Sequence, residues 1–392
     1  MKYDFDKVWD RTGSDSIKWE KQLKFGVQSG LLPFWIADTD FAVLPEAAQA
    51  MKKRIDHPLF GYTFTGNRTL ETVRSWYERR HQVKLPVEAY MASGGVVTAL
   101  WFTIRAFTEP GDKILTFTPV YDPFFAVTKN QGREVAECPL IYENCRYEMD
   151  WERLEELLKS GIKAMIFCNP HNPMGKVWSS GDVKRIVELC REYSVLLLSD
   201  EVHGDVVFEG KTYTSAARFA DLYDQMIVYT AISKPFNMAG LHSSCLIFPN
   251  REIRERLDKA MREAWLMGPN AMANCAIEAC YTYGEDWLEQ MNAYVEANAA
   301  FASAYLKEHA PEVDVVEPEG TFLMWLDFAR TGLTGSQITD ILAKEYGTAV
   351  GSGSGYGGNG DTFIRFNIGC PRSVLEKGLE NIVQFLKDRR GN

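Results

Sequence analysis

Between residues 90 and 250 the chain alternates short apolar runs with amphipathic stretches, and this alternation limits the fold more than any other feature. The runs KILTF (113–117), REVAECPL (133–140), KAMIFC (163–168), VLLLSDE (195–201), MIVYT (226–230) and SSCLIF (243–248) read as strands. TALWFTIRAF (98–107), DWERLEELLKS (150–160) and SSGDVKRIVELCREY (179–193) repeat their apolar residues at helical spacing. In the last of these, Ser180 or Asp182 is placed to cap the first turn. Strands without a polar face, joined by helices of this length, predict a mostly parallel sheet covered on both sides. The class is therefore α/β.

Past residue 250 the order changes. A long helical region (250–307) leads to VDVV (313–316), TFLMWLDF (321–328), a helix over 335–346, FIRFNI (363–368) and a last helix over 372–389. That is an α+β unit and a second domain, against which the weakly periodic first forty residues are expected to pack. The division expected is a large domain over 45–285, with 1–44 and 286–392 together forming the small one. The loop GSGSGYGGNG (351–360) reads as mobile rather than as a phosphate site, because no helix follows it directly.

Composition removes several function classes. A net charge of −10 over 392 residues, with basic runs no longer than KKR (52–54), argues against a nucleic-acid surface. No apolar run approaches the ~18 residues of a membrane span, and the charged start MKYDFDKVWDR lacks a signal-peptide core. A cytoplasmic location is expected. The eight cysteines are scattered singly with no CxxC, which predicts reduced core thiols and no metal site.

Ligands of open α/β sheets collect at the carboxyl ends of strands, and four strand-adjacent stretches carry unusual residues here. Gly94-Gly95-Val96-Val97 precedes a helix, where it is either a plain turn or an anion site built from free N–H groups. Asp200 closes an apolar strand and needs a partner, whether a neighbouring N–H or a protonated ring nitrogen. NPHNPMG (169–175) follows a strand, and its Asn169 and Asn172 could both be turn-formers. Lys234 in AISKPFNMAGLH (231–242) follows MIVYT, among small, apolar and neutral polar neighbours. Arg365 interrupts FIRFNI, either snorkelling at an edge or forming a fork for a carboxylate. An imine-forming lysine, an acid for a ring nitrogen, an amide, a phosphate cradle and a carboxylate-binding arginine are together what pyridoxal 5'-phosphate needs to act on an amino acid.

The same stretches carry a resemblance. YDFDKVWDR, LPFWIADTDF (32–41), FGYT (60–63), TPVYDPF (118–124), NPHNPMG, SDEVH (199–203), SKPFNMAGL (233–241) and FIRFNIGCPR are similar to motifs of the fold-type I, aspartate-aminotransferase-like pyridoxal-phosphate enzymes. Within them the chain resembles the MalY/PatB family of cystathionine β-lyases. That resemblance implies a large domain with a mostly parallel seven-stranded sheet between helices, and a smaller α+β domain. It implies that Lys234 forms the imine and removes the substrate Cα proton, that Asp200 pairs with the pyridine nitrogen, and that Tyr121 stacks on the ring. Asn172 would bond the phenolic oxygen and contact substrate, with His203 nearby, in place of the tyrosine that many aminotransferases carry there. Gly95, Val96, Val97 and Ser233 would hold the phosphate, with Tyr62 reaching it from the other subunit of a homodimer with shared sites. Arg365 would take the substrate carboxylate, and Trp35, Tyr121 and Phe124 would shape the pocket. His242 stands where an arginine often pairs with the phosphate, so it is left outside the expected set. The activity implied is β-elimination from a thiol or thioether amino acid. The alternatives are transamination with the same residues and a cofactor-binding regulator with a protein partner.

Overall fold

The computed structural model describes residues 2–27, 30–266 and 268–390. Seven strands form one sheet: β1 (Tyr90–Ser93), β2 (Lys113–Thr118), β3 (Glu134–Pro139), β4 (Ile162–Cys168), β5 (Leu196–Asp200), β6 (Met226–Thr230) and β7 (Ser244–Ile247). Their order is β1-β7-β6-β5-β4-β2-β3. Only β7 runs against its neighbours. Side chains alternate across this sheet into two cores. Leu115, Phe117, Met165, Phe167, Leu197 and Val228 enter one, while Ile114, Ala164, Ile166, Leu198, Ile227 and Tyr229 enter the other. Both faces are dry, hence the uninterrupted apolar runs. Burying each such side chain is worth roughly 1.5–3 kcal/mol. Edge strand β3 is the exception, with half its residues exposed.

Helix α1 (Val96–Phe107) follows β1, and α2 (Ser180–Glu192) lies between β4 and β5. The cap of α2 differs from the sequence expectation. Ser179 receives the N–H of Asp182, and the Asp182 carboxylate accepts the Ser179 N–H in return. Neither Ser180 nor Asp182 is the cap itself; the reciprocal pair satisfies two otherwise unpaired donors and moves the start by one residue. The expected long helical region is three helices, α3 (Arg251–Glu263), α4 (Ala271–Tyr283) and α5 (Glu285–His309). Asn250 and Asn270 cap the first two. Residue 267, inside that stretch, lies outside the described residues.

A second, antiparallel sheet has the order β8 (Asp314–Val316), β9 (Leu323–Asp327), β11 (Phe363–Asn367), β10 (Gly351–Ser352). Helices α6 (Gly335–Tyr346) and α7 (Arg372–Arg390) accompany it. The N-terminal segment joins this unit. Leu32 and Pro33 pair with Thr348 and Ala349, and Phe34 stacks on Phe366 at 4.4 Å. The glycine-rich stretch is not a free loop. It supplies β10 and two short 3₁₀ turns, and Gly353, Tyr356 and Gly360 are buried. Its glycines serve close approach: a Cβ on Gly353 would stand 2.2 Å from the Gly360 carbonyl oxygen. Composition could not separate a mobile loop from one packed too tightly for side chains.

Candidate active site

The carboxyl ends of β4, β5 and β6 and the β1–α1 turn surround a cavity of about 310 Å³. Gly94 to Thr98, Tyr121, Asn172, Asp200, His203, Ser233 and Lys234 line it. This is where a parallel sheet collects ligands, and the volume suits a small organic molecule. A wider, charged cleft of about 680 Å³ lies elsewhere, and its Arg80 is already paired with Glu285 and Glu289.

Lys234 sits in the turn that leaves β6. It is half-buried because it borders the cavity, yet its amine is well desolvated. Its Nζ donates to the Ala37 carbonyl oxygen at 2.6 Å. Burial lowers its pKa to about 8, Arg365 pushes the same way, and Asp38 and Asp200 oppose. Asp200, at the end of β5, is 5% exposed. It accepts the Val202 N–H at 3.2 Å, and burial raises its carboxyl to about 7. An amine ready to lose a proton and a carboxyl reluctant to lose one therefore border the same cavity. His203 is buried against Phe322, and burial drives its pKa far down, so its ring is neutral. Its Nδ1 has no partner among the described residues.

At the other end, Gly95 has φ +124° and caps α1 without any side-chain bond. A Cβ there would meet nothing within 4 Å, so backbone conformation rather than space demands glycine. The first N–H groups of α1, from Val96 onward, are left for an anion, with the helix dipole behind them. Ser233 and His242 also line the cavity. His242 was set aside in the sequence, but its αL backbone (φ +48°) brings it to the wall.

Arg365 lies inside β11, between β9 and β10, and is 5% exposed, so it does not snorkel. Its Nη1 donates to Asn172 Oδ1 at 3.2 Å and its Nη2 to the Trp35 carbonyl oxygen at 2.9 Å. Its buried Nε has no partner among the described residues. Arg365 is joined to the cavity through Asn172. Trp35 is reached only through its backbone: its indole donates to the Lys18 carbonyl oxygen and packs on Phe25, away from the lining. Phe124 is fully buried and touches the site by an edge contact with Tyr121 at 5.6 Å. The Tyr121 hydroxyl is pushed up to about 12 by burial. Asn169 is structural, holding the Thr214 carbonyl and the Trp178 N–H. Tyr62 is fully exposed and takes no part in its own chain's cavity.

Some lining residues were not among those expected from the sequence. Thr98, Cys168 and Ser243 border the cavity. The Ala37 carbonyl reaches Lys234 because Asn367 donates to the Ile36 and Asp38 carbonyls at 2.6 Å each, and Asn237 receives the Thr39 N–H. A backbone acceptor leaves no mark in a sequence. Thr98 could have been found, since it falls in the first turn of the helix that carries the anion cradle.

Residues 31–382 match the family described as aminotransferase class I and II. The chain is 38% identical over 381 residues to the cystathionine β-lyase PatB of Bacillus subtilis, covering 96% of this chain and 98% of that protein. It is 31% identical over 382 residues to a cystathionine β-lyase of Corynebacterium glutamicum, covering 97% of this chain and all of that one. Among solved structures, cystalysin from Treponema denticola, which contains a pyridoxal 5'-phosphate cofactor, is similar with a TM-score of 0.95 and 32% identity. That match covers 99% of this chain and 100% of cystalysin.

Proposed function

We propose that this chain, which belongs to the aminotransferase class I and II family, is a pyridoxal-5'-phosphate-dependent carbon–sulfur β-lyase acting on cystathionine- or cysteine-type substrates. The observation that carries the reading is Lys234, a desolvated amine with a pKa near 8 whose hydrogen-bond partner is a carbonyl. Such an amine is available for covalent chemistry. The relatives named cystathionine β-lyase favour elimination over transamination.

The residues present fit the cofactor. The positive-φ turn at Gly95 offers N–H groups to a phosphate, together with Ser233. Asp200 would face the ring nitrogen, Tyr121 would stack, and Asn172 and His203 would flank the phenolic oxygen. When bound, the cofactor supplies an electron sink for the pair left on Cα after deprotonation. The rest falls to the chain. Lys234 takes the Cα proton, because burial leaves much of its amine neutral near pH 8. Arg365, with Nε free, holds the substrate carboxylate and fixes the Cα–H bond toward Lys234. Asp200 keeps a proton on the ring nitrogen: pairing with a cation offsets the burial cost that otherwise raises its own pKa to about 7. The Cβ–S bond then breaks, the thiolate leaves, and water converts the remaining enamine to pyruvate and ammonia.

The reading includes a homodimer. Leu59, Phe60, Tyr62 and Phe64 are all exposed along one segment, a costly display that a partner subunit would cover. It also includes the two-domain division at residues 44/45 and 285/286, and a cytoplasmic location. No described helix is long and apolar enough to cross a membrane. Borohydride reduction of the purified protein tests the cofactor assignment: the cofactor should be fixed on the peptide containing Lys234, and labelling elsewhere refutes it. Sedimentation tests the dimer, and a monomer at micromolar concentration refutes it.

A further inference from the structure

We propose that Asn367 is a positioning residue for the proton transfer: it turns the Ala37 carbonyl toward the cavity, and that carbonyl aims the amine of Lys234 once the lysine is free of the cofactor. The inference rests on the reading of Lys234 as the base at Cα and adds what sets its direction.

Asn367 and Arg365 are two apart on β11, so their side chains leave the same face of the strand. Both reach the segment 34–38. Arg365 Nη2 donates to the Trp35 carbonyl oxygen at 2.9 Å. Asn367 Nδ2 donates to the Ile36 and Asp38 carbonyl oxygens at 2.6 Å each, and the Asn367 N–H donates to that of Phe34 at 3.0 Å. Lys18 Nζ adds a bond to the Asp38 carbonyl oxygen at 3.1 Å. The carbonyls before and after Ala37 are thus taken by β11, and the Ala37 carbonyl is the one that receives Lys234 Nζ, at 2.6 Å.

The amide that does this is fully committed. Asn367 is 1% exposed, and its Oδ1 receives the Gly369 N–H at 2.8 Å, which fixes the end of the amide that faces the segment. An asparagine amide has two N–H donors on one atom and an acceptor on the other, one donor for each flanking carbonyl. At the far end of the segment, Asn237 Oδ1 receives the Thr39 N–H at 3.2 Å.

A carbonyl suits the task of holding a base. It accepts a hydrogen bond but does not take the proton, so a neutral Lys234 donates one N–H to it and keeps its lone pair free. On taking the Cα proton the amine becomes an ammonium, and a hydrogen bond from a charged donor is roughly twice as strong as a neutral one. The Ala37 carbonyl therefore favours the state after transfer over the state before it, which lowers the barrier between them. Because Arg365 and Asn367 grip one segment, the lysine and the arginine assigned to the substrate carboxylate share a single backbone frame.

Exchange of the Cα hydrogen of L-alanine in D₂O reads this transfer alone, since alanine has no leaving group on Cβ. In Asn367→Ala holoenzyme, exchange and the kcat for cystathionine should both fall about 10–100-fold, with a smaller change in KM. The α-deuterium isotope effect on kcat should be at least that of the parent. The acid limb of the kcat profile should move to lower pH, because Lys234 loses an acceptor that favours its charged form. Rates are taken per bound cofactor, read from the visible absorbance, so unfolded chains do not enter them. Asn237→Gly keeps the φ of +55° but frees the Thr39 N–H, and should show the same pattern more weakly. If Asn367→Ala does not load cofactor, Asn237→Gly decides alone. Exchange at the parent rate in the loaded variants, a smaller isotope effect, or a loss confined to KM overturns the role. A parent that exchanges alanine but gives no pyruvate from cystathionine sinks the β-lyase reading and leaves the role of Asn367 standing; a parent that does neither sinks both.

Discussion

Replacing Asp200 with asparagine should make the cofactor-free protein more stable and the loaded protein far less active. In the fold, burial raises this carboxyl from 3.8 to about 7. At about 1.4 kcal/mol for each tenfold change, holding the carboxylate ionised costs roughly 4 kcal/mol. Asparagine keeps the shape and an oxygen for the Val202 N–H but carries no charge. Because the folded pKa is raised, the stability that Asp200 contributes is fully present below about pH 4. It is lost as pH climbs toward 7. The advantage of Asp200→Asn should therefore widen by roughly 2–3 kcal/mol between pH 5 and pH 8. Urea unfolding of both cofactor-free proteins across that range reads it directly. With cofactor, the variant should lose on the order of 10²–10⁴ in kcat, as expected when an electrostatic partner is removed. A pH-independent stability difference, or a variant that is less stable at pH 8, would refute the claim that the carboxylate is held against its own solvation.

Other outcomes follow from the same geometry. Lys18 is 1% exposed and bonds Asp40 at 2.7 Å, so Lys18→Met leaves buried carboxylates short of a cation and should cost about 3–5 kcal/mol in urea unfolding. Gly95→Ala must hold φ near +124°, a strain of roughly 1–3 kcal/mol at the anion cradle. Cofactor affinity by equilibrium dialysis should fall about 10-fold or more, corresponding to that strain. Arg365→Lys replaces a buried fork with a point charge and cannot serve Asn172, Trp35 and a carboxylate together. Its substrate KM should rise by about 10–100-fold, with a smaller change in kcat.

How far the sequence could be read depended on where a residue's reason lay. Strands β2 and β4 to β7 were legible because both of their faces are buried, so nearly every residue carried the signal. β3, with Glu134, Glu137 and Pro139 exposed, kept only a weaker apolar signal through Val135, Ala136 and Cys138. Lys234, Asp200, Gly95 and Arg365 stood out because each breaks a local expectation: a charge beside a core strand, a carboxylate at a strand end, paired glycines before a helix, an arginine inside an apolar strand. Other features had no such mark. The Ala37 carbonyl is positioned by side chains from residues 237 and 367, a relation that only the fold creates. Trp35 resembled a pocket wall in its motif, but its ring is committed to Phe25 and Lys18. The glycine-rich stretch was misread for a similar reason, since tight backbone contact and mobility call for the same residue.

One assay separates elimination from transamination. Purified holoenzyme is mixed with cystathionine in the absence of any keto-acid acceptor, and pyruvate is followed with lactate dehydrogenase. With Lys234 as the base and a thiolate as leaving group, pyruvate and thiol should accumulate together in equal amounts over many turnovers, and Lys234→Ala should give neither. Turnover that stops without an added keto acid would assign the site to transamination instead.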